Sequence, residues 1–490
     1  MIDWFWGCIF LACLIVLITI SELVRKHTDK SPEVTRKVVH IITGIFVALT
    51  PMFFSSSLPM LIIAGTFGIV NFVAIRLGKL TSYNGTGRIS YGTVYYPFAF
   101  FILTALFWHH SKIILITSML ILALADASAA IVGRTVKRPI SYRLGGEKKS
   151  IQGSAAMFIV TLLVVIMVWW SKSPNGVAIY TKTIVIMALL TAVIATVCEA
   201  ISYRGSDNLT VPIGSAFVMH LMIFRPELVT GFTIGMLLAA IIALISYKLR
   251  FLSNSGTVAT FLLGTIVFGI GGWNFALPIL SFFILSSLIS KLGKKRKKIV
   301  ADTFEKSSQR DMWQVWANGG VGGIIVLLHY LYPHPVWYYL FLASVAAATA
   351  DTWGTEIGVF SKFSPRHILT FRRVPTGTSG GVTLLGSLGG IIGSLVIASH
   401  LFMKETDLSL LVTITLAGFI GSIFDSIAGA TIQAQYQCPT CNKYTEKILH
   451  CNQTTTKLTS GYAWINNDIV NTICTISAAI AMWGLLQFII

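Results

Sequence analysis

The sequence predicts an all-α, polytopic membrane protein of about 16 transmembrane helices in two related helical modules. Three observations lead there. Only 11% of the 490 residues are charged and 54% are hydrophobic, against about 25% charged in an ordinary soluble domain. Apolar runs of bilayer-crossing length recur along the whole chain. Lysine and arginine gather in alternate loops between those runs, as the positive-inside rule requires of a multi-pass protein.

Taken in order, the spans fall at about 4–24, 38–54, 58–78, 92–108, 113–133, 154–171, 183–201, 211–224, 228–247, 257–272, 275–292, 315–332, 336–352, 382–402, 409–432 and 464–489. The first run has neither a basic leader nor a small-residue cleavage site, so it reads as a retained span. With these spans, all but Lys112, Lys172, Lys182, Arg225 and Lys404 of the 37 basic side chains fall in loops on one side. That side is expected to be cytoplasmic, with both termini outside. The net charge of +18 and the KLGKKRKK run at 291–298 therefore read as topology anchors beside anionic lipid, not as a nucleic-acid surface.

Chemistry concentrates where helices meet this basic side. From Ala350 to Gly381 the chain carries Asp351 and Glu356, then Lys362, Arg366, Arg372 and Arg373, then Gly377, Thr378, Ser379 and Gly380. Carboxylates can hold a divalent cation, basic side chains neutralise phosphate, and a glycine-rich turn offers backbone N–H groups to anions. Together they indicate a site for a nucleotide polyphosphate and its metal.

The pattern occurs twice. ADASAAIVGR with Asp126, a basic loop and KKSIQGS (Lys148, Lys149, Ser150, Gly153, Ser154) precede it. Asp126 stands seven residues before Gly133, as Asp351 does before Gly358. Glu199 then follows Gly153 by 46 residues and Asp425 follows Gly377 by 48, and each half continues to a further polar phrase, Asp207 and Asn208 in the first and Asn467 and Asp468 in the second. We read two modules, 1–230 and 231–490. Arg36, Lys37 and His40 lie at the inner mouth of the second span, and a histidine inside an apolar span needs a polar partner.

Other features are structural or left open. Asn254 or Ser255 is placed to cap the tenth span or to touch phosphate. GIGGW at 269–273 is helix packing or a turn. Gln314 and Asn318, one turn apart after Arg310 and Asp311, are an interhelical clamp or a substrate contact. Cys438, Cys441, His450 and Cys451 have the ligand types of a structural Zn²⁺ site, with free cytosolic thiols as the alternative.

RKVVHIITG, DASAAIVGR, KKSIQGS and EAISYRGSDNLTVP, over about residues 20–225, resemble the membrane kinases of phytol and dolichol. Gln152 stands where that family's phrase usually has glutamate. The remainder, from about residue 235, resembles another integral-membrane family, to which phytyl-phosphate kinase belongs. Its phrases here are SGTVATFLLGTIVFGIGGW, QRDMWQVWANGGVG, TADTWGTEIG, VPTGTSGGVTLLG, FDSIAGATIQAQYQCPTC and GYAWINNDIVN. The two resemblances imply consecutive steps, prenyl alcohol to monophosphate and then to diphosphate. They imply CTP as donor, and prenyl alcohols and prenyl phosphates as lipid partners; the carboxylates are expected to hold Mg²⁺ or Mn²⁺ with it. In the first half, Asp126, Glu199 and Asp207 would be the acidic groups. In the second, Asp351, Glu356, Asp425 and Asp468 would take those roles, with Asn467 orienting. The rival readings are a phosphatidate-type cytidylyltransferase and a two-repeat transporter, although ionisable transporter residues sit more often near the bilayer midplane.

Overall fold

The computed structural model describes residues 2–27, 32–77, 90–171, 181–291, 309–451 and 453–488. The Arg36 side chain and most of the KLGKKRKK run lie outside these. The protein is an all-α multi-pass membrane protein with little sheet. Among the described residues, 10 helices are long and apolar enough to cross a bilayer, with shorter apolar helices at Ile2–Leu17, His40–Phe53 and Gly92–Phe107. That count is lower than the sixteen spans expected. The expected spans 257–272 and 275–292 lie in Asn254–Lys291, two helices separated by a break at Gly272 (φ 63°, ψ −163°). Lys291 Nζ donates to the Leu249 carbonyl at 3.3 Å, so the element's two ends lie together and GIGGW is the turn of a helical hairpin.

The chain forms two compact units, Met1–Val229 and Thr230–Ile490. In the first, the Lys112–Thr135 span runs through the centre, 67% buried. Ile114, Leu115, Met119, Ile121, Leu122, Ala123 and Ala125 are wholly enclosed. Its middle widens into a π-helical turn over Ile121–Asp126, a distortion frequent at functional sites. Pro32–Phe53, Ile151–Trp170 and Asp207–Phe224 pack on it, and Thr181–Ala200 packs on the last two. The basic loop before Ile151 folds into a hairpin, pairing Ser141–Arg143 with Lys148–Ser150.

In the second unit Val336–Gly358 is central, and its small residues Ala343, Ser344, Ala346, Ala347, Ala348 and Ala350 are buried. Small side chains let helix backbones approach closely within a membrane. Leu384–Ala398, Leu408–Thr431 and Asn467–Leu486 surround it. These helices start on real caps: Thr383 Oγ1 accepts from Gly386 N, Asp407 from Ser409 N and Leu410 N, and Asn466 from Ile469 N. Each such cap contributes roughly 1 kcal/mol. At Asn254–Lys291 the cap is Ser253, whose Oγ accepts from Gly256 N at 3.2 Å, in place of Asn254 or Ser255. Between Thr431 and Asn467 the chain forms a small lobe of short strands, Gln435–Gln437 pairing with Tyr444–Thr445 and Lys457–Ser460.

Candidate functional site

In the first unit the central helix presents Asp126 to the second helix, Pro32–Phe53. Lys37 Nζ donates to Asp126 Oδ2 at 2.8 Å. His40 Nε2 lies 3.1 Å from the Leu122 carbonyl and 3.6 Å from Asp126 Oδ2, so the intramembrane histidine has its polar partners. Lys149, from the hairpin, reaches Glu199 Oε1 at 2.7 Å and Asp207 Oδ2 at 3.6 Å. Ser202 Oγ also donates to Asp207 Oδ2, at 3.3 Å. Asp126, Glu199, Asp207, Lys37, His40 and Lys149 thus belong to one electrostatic cluster. Burial alone would lower the Lys149 pKa, but Asp207 and Glu199 outweigh it and hold the ammonium above its ordinary value. Glu199 Oε2 is buried and has no hydrogen-bond partner among the described residues.

The surrounding groups are fixed by the backbone. Ser150 Oγ accepts from Gly153 N at 3.1 Å, which makes this serine the cap of Ile151–Trp170. Ser154 Oγ is hydrogen-bonded to the Tyr142 hydroxyl. Gln152 Oε1 accepts from Ile140 N at 3.1 Å, a structural use of the position where the resembled kinases carry glutamate. A side chain at Gly145 would strike the Ile201 carbonyl at 2.4 Å, so glycine lets the hairpin lie on the end of the helix bearing Glu199. Asn208 Nδ2 donates to the Gly205 carbonyl at 3.2 Å. Lys148 is exposed.

In the second unit Asp351 and Asp425 face each other at hydrogen-bonding range. Carboxyls so placed are held by a shared proton or by a cation between them. Asp425 Oδ2 is buried without a hydrogen-bond partner among the described residues. The glycine-rich loop packs against the same helix. Gly380 (φ +76°) brings its backbone so close that a Cβ would meet the Ser426 carbonyl at 2.8 Å. Ser379 Oγ donates to Glu446 Oε1 at 3.0 Å, and Gln433 Nε2 donates to the same oxygen at 2.9 Å. Glu446, which also acts electrostatically on Asp425, escaped the sequence reading; an isolated acid in a lobe rich in thiols and lysines gave no periodicity to find it by.

The other assigned residues divide. Glu356 accepts from Ser290 Oγ at 2.6 Å, because five residues on from Asp351 is another helix face. Thr378 Oγ1 donates to the Pro375 carbonyl at 2.8 Å, Gly377 (φ +90°) forms the turn, and Arg372 and Arg373 are exposed. Asp468 is buried in the first turn of its helix, where Asn466, not Asn467, supplies the cap. Among the described residues, the carboxylates nowhere gather in threes close enough to hold an ion by themselves. Magnesium ordinarily needs only one or two, with phosphate oxygens and water completing its shell.

The two units share one joint, in a register shifted from the sequence alignment. Gly133 packs on Ser150, and Gly358 on Thr383, each the cap of the next helix. A Cβ at Gly153 would meet the Ala129 carbonyl at 2.7 Å, and one at Gly386 the Gly354 carbonyl at 2.6 Å. Ala129 and Gly354 each follow the aspartate by three residues. The structural counterpart of Gly153 is therefore Gly386, not Gly377, and the second unit's loop is the longer one.

Cys438 Sγ, Cys441 Sγ, a His450 ring nitrogen and Cys451 Sγ lie within 4.8 Å of one another. His450 Nδ1 is 3.5 Å from Cys441 Sγ and 3.2 Å from Cys451 Sγ. Desolvation raises the Cys438 thiol pKa, but hydrogen bonds from the Cys441 backbone and the His450 side chain bring it down to about 6.

Known proteins resemble parts of this chain. The profile of the integral membrane protein family DUF92 matches residues 237–479. A membrane protein of Methanocaldococcus jannaschii is 31% identical over 201 residues, 41% of this chain and 82% of its own. Protein PGR of Arabidopsis thaliana is 33% identical over 265 residues (48% and 90%). The phytol kinase of Synechocystis is 32% identical over 202 residues (40% and 83%). No solved structure matches.

Proposed function

Since the chain belongs to the DUF92 family of integral membrane proteins, we propose that it is a membrane isoprenoid kinase with two active units. The first would phosphorylate a prenyl alcohol of the phytol, farnesol or geranylgeraniol class, and the second would phosphorylate the resulting monophosphate. CTP would be the donor, and both sites would face the cytosol. The observation that carries this is the repeated joint: in each unit an aspartate on the central helix sits beside a loop that packs against a second buried carboxylate. The phytol kinase among its relatives supplies the substrate class.

Phosphoryl transfer asks a protein mainly for positioning and charge neutralisation. In the first unit, Glu199 Oε2 is the buried oxygen with an open valence for the alcohol proton, which would leave as the alcohol oxygen bonds the γ-phosphorus of CTP and the bond from that phosphorus to the departing CDP breaks. Lys37 and Lys149 hold the carboxylates in place, and exposed Lys148 offers charge to the donor's phosphates. In the second unit the acceptor is already an anion and needs no base. Arg372 and Arg373 and the loop from Gly377 to Gly380 would receive the phosphates, while Asp351 and Asp425 provide an acidic pair. A divalent cation, Mg²⁺ or Mn²⁺, when bound, neutralises charge on the phosphate oxygens. The buried, unpartnered oxygen of Asp425 fits such an ion. The thiol cluster fits tetrahedral Zn²⁺ with all four positions filled, a structural site that steadies the lobe bearing Glu446.

Membranes containing the protein, given labelled CTP and farnesol, geranylgeraniol or phytol, should form prenyl monophosphate and then diphosphate. Transfer of a cytidylyl group, read from product mass, or substrate flux into vesicles without nucleotide use would each refute this reading.

A further inference from the structure

The lobe between Thr431 and Asn467 is too small to be held together by apolar burial. Among its described residues from 433 to 462, the buried hydrophobic ones are Ala434, Tyr436 and Cys438, and a core of that size needs a staple. The lobe has two arms. The first pairs Gln435–Gln437 with Tyr444–Thr445 and carries Cys438 and Cys441 in its turn, where Asn442 N donates to the Cys438 carbonyl at 2.8 Å. The second pairs Leu449–His450 with Thr454–Thr455 and carries His450 and Cys451. Each arm supplies two of the four clustered ligands, so an ion bound there joins the arms and stabilises the lobe.

Glu446 stands in the segment between the arms, five residues after Cys441 and four before His450. Its Oε1 accepts from Ser379 in the glycine-rich loop and from Gln433, just past the end of the helix bearing Asp425. One carboxylate therefore ties that loop to that helix, and its place depends on the two arms staying closed. The thiols of the cluster are free. Cys441 is half-buried and Cys438, three residues before it, is fully buried. A reachable thiolate with a second thiol behind it is the arrangement that reacts with a disulfide and then resolves the mixed product.

We propose that the lobe is a thiol–disulfide switch on the second unit: with Zn²⁺ bound it keeps Glu446 on the loop, and oxidation by a small disulfide such as oxidised glutathione expels the ion and frees the loop. The Cys441 thiolate attacks oxidised glutathione, forming a mixed disulfide and releasing one glutathione thiolate. The Cys438 thiolate then attacks the Cys441 sulfur, which closes the Cys438–Cys441 bond and releases the second glutathione thiolate. The two cysteine sulfurs lose the two electrons that the glutathione disulfide gains, and no proton is required. Zn²⁺, left with His450 and Cys451, departs. That the switch governs the second phosphorylation rests on the kinase reading above; the switch itself does not.

The test treats the purified full-length protein with oxidised glutathione, in a Cys8→Ala, Cys13→Ala background that removes the exposed thiols outside the cluster. Zinc should pass to a chromogenic chelator, and peptide mass should show Cys438 joined to Cys441. Amide exchange across residues 377–381 should quicken about tenfold or more. Dithiothreitol with added zinc should reverse all three. Glu446→Ala separates lobe from loop: it should keep its zinc, exchange quickly at 377–381 even when reduced, and quicken no further on oxidation. Exchange at 377–381 that ignores zinc release would overturn the switch, as would protein that purifies without zinc or forms no Cys438–Cys441 bond. Oxidation should also stop conversion of monophosphate to diphosphate and leave alcohol phosphorylation unchanged. A reversible switch in a protein that transfers no phosphoryl group would uphold this proposal and sink the kinase reading. Diphosphate synthesis untouched by zinc release would do the reverse.

Discussion

At Lys149 a single ammonium holds two buried carboxylates, Glu199 and Asp207. Removing it leaves both charges without their cation, which costs roughly 3 kcal/mol. Lys149→Met should therefore lower the melting temperature in detergent and abolish the alcohol-phosphorylating step. Adding Glu199→Gln should recover part of the stability and none of the activity. The pH dependence has a definite sign. Because the folded pKa of Lys149 is raised, its contribution is complete below the ordinary lysine value of about 10.4 and is lost as pH rises above it. The stability gap between wild type and Lys149→Met should hold steady from about pH 7 to 9 and narrow only at higher pH. Lys37, His40, Asp126 and Lys149 were legible in the sequence because charge inside an apolar helix mouth is conspicuous. Their pairing was not, since Lys37 and Asp126 are 89 positions apart.

The glycine joints belong to the scale of elements. Gly386 brings the Leu384–Ala398 backbone against the Gly354 carbonyl, where a methyl group would sit at 2.6 Å. Gly386→Ala must push two helices apart, and overpacking of this kind costs about 1–3 kcal/mol. We expect a lower melting temperature and loss of the second phosphorylation, with the first intact. The thiol lobe is the second such element. Purified protein should carry one zinc per chain, measured by elemental analysis, and Cys438→Ser should remove it. The same variant should slow the monophosphate step, because Glu446 in that lobe holds Ser379 and Gln433. CxxC was visible in the sequence; the part that Glu446 plays was not, as no local spacing links residue 446 to residue 379. The sequence alignment of Gly153 with Gly377 failed for a related reason. It matched glycines by distance along the chain, whereas each joint is set by which residue caps the following helix.

For the molecule as a whole, the proposal assigns one reaction to each unit. Asp126→Asn should block the alcohol while still converting added monophosphate, and Asp351→Asn should accumulate monophosphate. Membranes containing both variants together should regain diphosphate synthesis, since the intermediate can diffuse within the bilayer; product analysis reads each outcome. Loss of both steps in either single variant would refute the division.

By itself the sequence determined that this is a helical membrane protein, because bilayer solvation leaves apolar length and charge asymmetry written directly in composition and order. It also marked Asp126 and Asp351 as the focal acids, since an ionised group at a helix mouth is expensive enough to stand out. Only the tertiary structure decided that Asp425 and not Glu356 faces Asp351, and that Lys149 bridges Glu199 and Asp207. It alone brought Glu446 to Ser379. Those facts depend on contacts between distant helices, and packing between surfaces has no period along the chain.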